Sequence, residues 1–99
     1  MRLSQQTQQI IRDTAREIFG IEANVKLFGS RINDAARGGD IDLLVELPTV
    51  APEIERKTMQ LIARLQLRLG DQPIDVLVID PTTSRQPIHE QALTMGVSL

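Results

Sequence analysis

Cysteine, tryptophan and tyrosine are absent from the 99 residues, and only two phenylalanines and one histidine are present. Without cysteine there can be no disulfides and no thiolate metal sites. The shortage of aromatic rings removes the stacking platforms on which single-stranded nucleic acids lie. Positive charge is not in excess: 11 Lys and Arg against 13 Asp and Glu leave a net charge of −2. That balance excludes a surface that coats nucleic acid in general. No apolar run approaches the roughly 18 residues of a membrane span. The opening Met1-Arg2-Leu3-Ser4-Gln5-Gln6 lacks the apolar core of a signal peptide. The expectation is a cytoplasmic protein with no membrane partner. His89, with no Cys or second His near it, makes a poor metal site and is expected on a helix surface.

What the chain does contain is 41% hydrophobic residues and 24% charged residues of both signs. These proportions fit a globular protein, and the length fits one domain over residues 1–99. From Ser4 to Phe19, apolar and small residues at Leu3, Thr7, Ile10, Ile11, Thr14 and Ile18 recur at helical spacing, predicting an amphipathic helix that covers a sheet. Gly20 is placed to stop it. Val25 to Phe28 reads as a strand, and Ser30 to Ala36 as a short helix or turn. A second strand opens at Asp40. After Pro48 and Pro52, the stripe Ile54, Thr58, Leu61, Ile62, Leu65 and Leu69 predicts a second helix, with Met59 and Leu67 off the stripe. Ile74 to Ile79 reads as a third strand, Asp80 to Ser84 as a turn, and Gln86 to Met95 as a last short helix. Asp34, Glu46, Asp71 and Asp80 read as surface or turn acids.

The informative stretch runs from Leu27-Phe28-Gly29-Ser30 to Asp40-Ile41-Asp42. On a strand, residues i and i+2 share a face. Asp40 and Asp42 therefore project together, while Ile41, Leu43, Val45 and Leu47 point the other way into a core. Two carboxylates side by side repel unless a cation sits between them, and hard oxygen ligands suit Mg²⁺. Gly29 lets backbone approach a ligand, and Ser30 is a candidate helix cap that would leave N–H groups facing an anion. Arg31 and Arg37 are candidates to contact phosphate oxygens, against the alternative of exposed loop arginines. The helix between the second and third strands implies a crossover, hence a parallel pair whose N-terminal ends meet at one edge. Asp75, a buried-looking acid near the start of the third strand, is thereby brought toward Asp40 and Asp42. The alternative for Asp75 is a solvated strand-end acid.

The pattern G-S-x9-D-x-D between apolar runs resembles the nucleotidyltransferase superfamily typified by DNA polymerase β. It is most similar to the minimal nucleotidyltransferase (MNT) proteins, and the resemblance covers essentially the whole chain. Many members carry a glycine inside the spacer and a serine before the first aspartate, where this chain reads Asn33-Asp34 and Gly38-Gly39. The resemblance implies an α/β fold, a minimal nucleotidyltransferase core with a small mixed sheet flanked by helices. It implies catalytic and metal-binding roles for Asp40, Asp42 and Asp75, with two Mg²⁺ ions, and nucleotide binding by Gly29, Ser30 and Arg31. The implied reaction is transfer of AMP from ATP to a hydroxyl on a partner protein. MNT proteins of this kind are antitoxins paired with HEPN-domain ribonuclease toxins, which they adenylylate. Two other readings stand beside this one. The domain could neutralise its partner by occlusion alone, or it could modify a small molecule, for which 99 residues leave little room to enclose the acceptor.

Overall fold

A computed structural model describes residues 3–29 and 40–99. Along the chain run α1 (Gln5–Phe19), β1 (Asn24–Phe28), β2 (Ile41–Glu46), α2 (Ile54–Leu69), β3 (Ile74–Ile79), α3 (Pro87–Met95) and β4 (Val97–Ser98). The strands form one four-stranded sheet in the order β3-β2-β1-β4. β1 is antiparallel to β2 and to β4, while β2 and β3 are parallel. The expected small mixed sheet flanked by helices is borne out. The two-residue β4 carried no periodic signal in the sequence. It forms because Gly96 closes α3 and turns the chain back alongside β1.

Side-chain parity divides the sheet into two faces. Ile41, Leu43 and Val45 of β2 join Val25, Leu27 and Ile74 in a core with Ile11 and Ala15 of α1 and Leu61 and Leu65 of α2. The opposite face is smaller: Leu44 and Ile79 are buried against Ala92, with Phe28, Leu77 and Leu93 at the margin. Helices α1 and α2 thus cover one face, and α3 covers part of the other. Ser4 caps α1 by accepting from the Thr7 N–H at 3.1 Å. The two covering helices are also tied by polar contacts. The buried Thr14 hydroxyl donates to the Ile10 carbonyl and accepts from Arg68, whose guanidinium grips Glu17.

Two acids depart from their expected places. Asp80 opens a turn, as the sequence suggested, but its carboxylate is buried rather than at the surface. It accepts from the Ala51 N–H at 3.0 Å, the Thr82 N–H at 2.8 Å and the Thr82 hydroxyl at 2.6 Å. The Thr82 hydroxyl, then the Ala51 N–H, hold its pKa below the ordinary carboxylate value. Burial is tolerated because these donors satisfy the charge, and they pin the segment before α2 to the end of β3. Asp75 is exposed, where the sequence suggested a buried-looking acid. The reason is topological: β3 is the edge strand, and the apolar contacts beneath α3 involve Leu77 and Ile79 further along it. His89 lies on the surface of α3 as expected, where its Nδ1 accepts from the Gln86 N–H at 2.8 Å and closes a capping box at the start of the helix. Among the described residues no helix is long and apolar enough to cross a membrane.

Candidate active site

The parallel register of β2 and β3 sets Asp42 directly beside Asp75, with Leu44 beside Leu77 and Glu46 beside Ile79. Across the antiparallel ladder, Phe28 faces Asp42. The smaller face therefore carries a row Phe28–Asp42–Asp75 at one end of the sheet. This end joins the start of β2, the start of β3 and the finish of β1, and Asp40 lies at its rim, exposed, just before β2. The sequence prediction that Asp40, Asp42 and Asp75 meet at one edge rested on strand parity and on the crossover through α2. The register supplies both for Asp42 and Asp75, whereas Asp40 precedes β2.

The electrostatics single out Asp42. Partial burial raises its pKa above the ordinary carboxylate value, and the negative charges of Asp75 and then Asp40 raise it further. Each of these influences acts in the same direction: the apo site resists holding its full negative charge. Glu46, on the same face two residues beyond Leu44, is the useful contrast. Its carboxylate has Lys26 Nζ at 3.6 Å and the Asn24 amide at 3.4 Å. Two acids of one strand face thus have opposite circumstances, one matched by a cation and one pressed against other acids.

Gly29 follows β1 with φ of +79°, in the region that side chains rarely adopt. An added β-carbon would collide with Asp42 Oδ2 and lie 3.1 Å from Asp42 Cγ. Of the predicted phosphate-binding residues, Gly29 is therefore placed at the acids. Ser30 and Arg31 lie outside the described residues, as do the predicted short helix or turn and Arg37. The described residues contain no group of three or more His, Cys, Asp or Glu placed to share one metal ion. Asp42 and Asp75 are paired, whereas Asp40 acts on Asp42 through charge alone.

A cavity of about 320 Å³ lies at the other end of the sheet, between the finish of α1 and the segment after β2, lined by Phe19, Ile21, Leu47, Val50, Pro52 and Lys57 among others. It contains no convergent acids.

A family model described as nucleotidyltransferase domain matches residues 9–94, and the chain belongs to that family. It is a transferase of nucleotidyl groups, of a family that uses nucleoside triphosphates and a divalent metal. No curated protein matches the chain.

Proposed function

We propose that the protein transfers AMP from ATP to a hydroxyl on a partner protein, in the manner of MNT antitoxins that silence HEPN ribonuclease toxins in the cytoplasm. The observation that carries this reading is the Asp42–Asp75 pair, set side by side by the parallel register, with partial burial and the charges of Asp75 and Asp40 all acting against the charged form of Asp42. Mg²⁺ is bound by one or two carboxylates plus substrate phosphates rather than by an all-protein cage. The donor set fits that habit: all oxygen, two paired aspartates, and a third at the rim. Asp42 and Asp40 would hold the ion at the triphosphate, and Asp75, beside Asp42, would serve the acceptor side. When bound, the ion neutralises the phosphates and acidifies the acceptor hydroxyl.

The chain's own residues do the rest. Asp42, half-buried, fixes the position of the α-phosphate relative to β2. Asp75, exposed on the edge strand, faces the incoming acceptor and accepts its proton. The acceptor oxygen bonds to the α-phosphorus as the bond to the β-phosphate oxygen breaks, and pyrophosphate leaves. Ser30 and Arg31 are proposed to grip the β- and γ-phosphates. The acceptor is proposed to come from another protein. This chain has no tyrosine to modify, and an edge-strand acid is open to a docked surface.

The test is co-production with a HEPN-type partner, followed by peptide mass spectrometry of that partner. An adenylyl adduct with wild type and none with Asp42→Asn supports the reading. An unmodified partner inhibited equally by both forms would instead mark a protein that acts by occlusion.

A further inference from the structure

We propose that Gly29 is a positioning residue for Asp42: the missing side chain is the seat in which the Asp42 carboxylate is held beside Asp75. The inference rests on the reading of Asp42 as a ligand of the nucleotide site. Glycine in a phosphate-binding turn is ordinarily explained by backbone approach to the ligand. Here the space that a β-carbon would fill is already taken, by Asp42 Oδ2 with Asp42 Cγ at 3.1 Å and Asp42 Cβ at 3.4 Å behind it. The crowding lies on the protein's own acid.

Three constraints then act on one carboxylate. The β2 ladder fixes the Asp42 backbone between Phe28 and Asp75. Asp75 approaches from the β3 side. Gly29, at the end of β1, leaves room on the third side and closes it to anything larger than hydrogen. A repelled carboxylate would otherwise swing away from Asp75 to relieve the like charge. The seat lets it remain partly buried and beside its neighbour.

The collision would involve the far end of a side chain that can rotate, so a methyl group at position 29 displaces the carboxylate without unfolding the chain. This separates a positioning role from a structural one. Chemical ligation of the chain permits Gly29→Ala in both its L and its D form. D-alanine accepts a positive φ readily and carries its methyl on the other side of the α-carbon, away from the L position that meets Asp42.

The first measurement is made on the apo protein: the χ1 rotamer of Asp42 from NMR three-bond couplings. The expected result is an unchanged rotamer in the D form and a switched or averaged one in the L form. The second is calorimetric affinity for Mn²⁺ with a non-hydrolysable ATP analogue. Loss of a group that orients a metal ligand weakens binding about 10–100-fold, which is expected of the L form, with the D form within about twofold of wild type. In an Asp42→Ala background the L and D forms should bind alike, since the group being positioned is gone. An Asp42 rotamer identical in the L form and wild type would overturn the inference, as would equal loss of affinity in both forms. If wild type itself fails to bind the Mn²⁺–nucleotide, the functional reading falls, and the apo rotamer still decides the role of Gly29.

Discussion

Asp42→Asn should make the apo protein more stable at neutral pH. The substitution keeps the shape of the side chain and removes one charge from a pair that the β2–β3 register holds together. Adjacent strands lie about 4.8 Å apart, and two unit charges at that spacing in an effective dielectric of about 20 repel by roughly 3.5 kcal/mol before relaxation. Asp75 is exposed, so water screens much of this, and like charges directly opposite in sheets cost up to about 1 kcal/mol. We take about 1 kcal/mol as the gain, to which an amide N–H donated to the Asp75 carboxylate adds. For a domain of this size, that raises the melting temperature by about 4–8 °C.

The pH dependence carries its own sign. The folded-state pKa of Asp42 is raised, so the folded chain binds protons more readily than the unfolded one. The penalty is present in full above that raised pKa, and it is relieved as pH falls from there toward the unfolded carboxylate value near 3.9. The advantage of the Asn variant should therefore be greatest near neutrality and fade in acid. Calorimetric melts in EDTA across that range are the assay. With saturating Mg²⁺ and an ATP analogue the order should reverse, because ligand at about 100 times its dissociation constant adds about 2.7 kcal/mol to the form that binds it. A lower apo melting temperature for the Asn variant at neutral pH would refute the reasoning and make Asp42 a structural acid.

Asp75→Asn should keep much of the Mg²⁺–ATP affinity, measured by calorimetry with a non-hydrolysable analogue, while turnover on the partner collapses, since the exposed acid faces the acceptor. Asp80→Asn should behave oppositely to Asp42→Asn in acid. The pKa of Asp80 is lowered, so its stabilisation is complete above the unfolded carboxylate pKa and is lost as pH falls below it. The variant should melt lower than wild type at neutral pH and show a flatter acid limb, and melts from neutral pH down to about pH 2, spanning the unfolded carboxylate pKa near 3.9, would reveal it.

Much of this was readable from the residues alone. Alternation along Asp40 to Leu47 separated the acids from the core, because a strand's two faces need no tertiary information. The crossover through α2 brought Asp75 to Asp42, because a helix of that length allows only a parallel return. The exposure of Asp75 was not readable, since it depends on β3 being the edge strand, and strand order follows from packing. Asp80 escaped for a related reason: its partner Ala51 lies 29 residues away, beyond any local pattern. The role of Gly29 was half legible. A glycine at a strand end signals a turn, but which neighbour occupies the vacated volume is a fact of three dimensions.

The register of β3 against β2 has a consequence for how this protein can change by insertion and deletion. The turn Gly70–Pro73 feeds β3, and the pairing of Ile74 with Ile41 starts the ladder. A length change there that slips β3 by one residue against β2, rather than being absorbed in the turn, would reverse the parity of every side chain in the strand. Asp75 would be carried to the face packed by α1 and α2, and Ile74 and Val76 would be turned toward the acids. A two-residue change restores parity, yet slides Asp75 a full repeat along the strand, out of line with Asp42. Length changes that the turn absorbs spare the site, whereas any that slip the strand part Asp75 from Asp42.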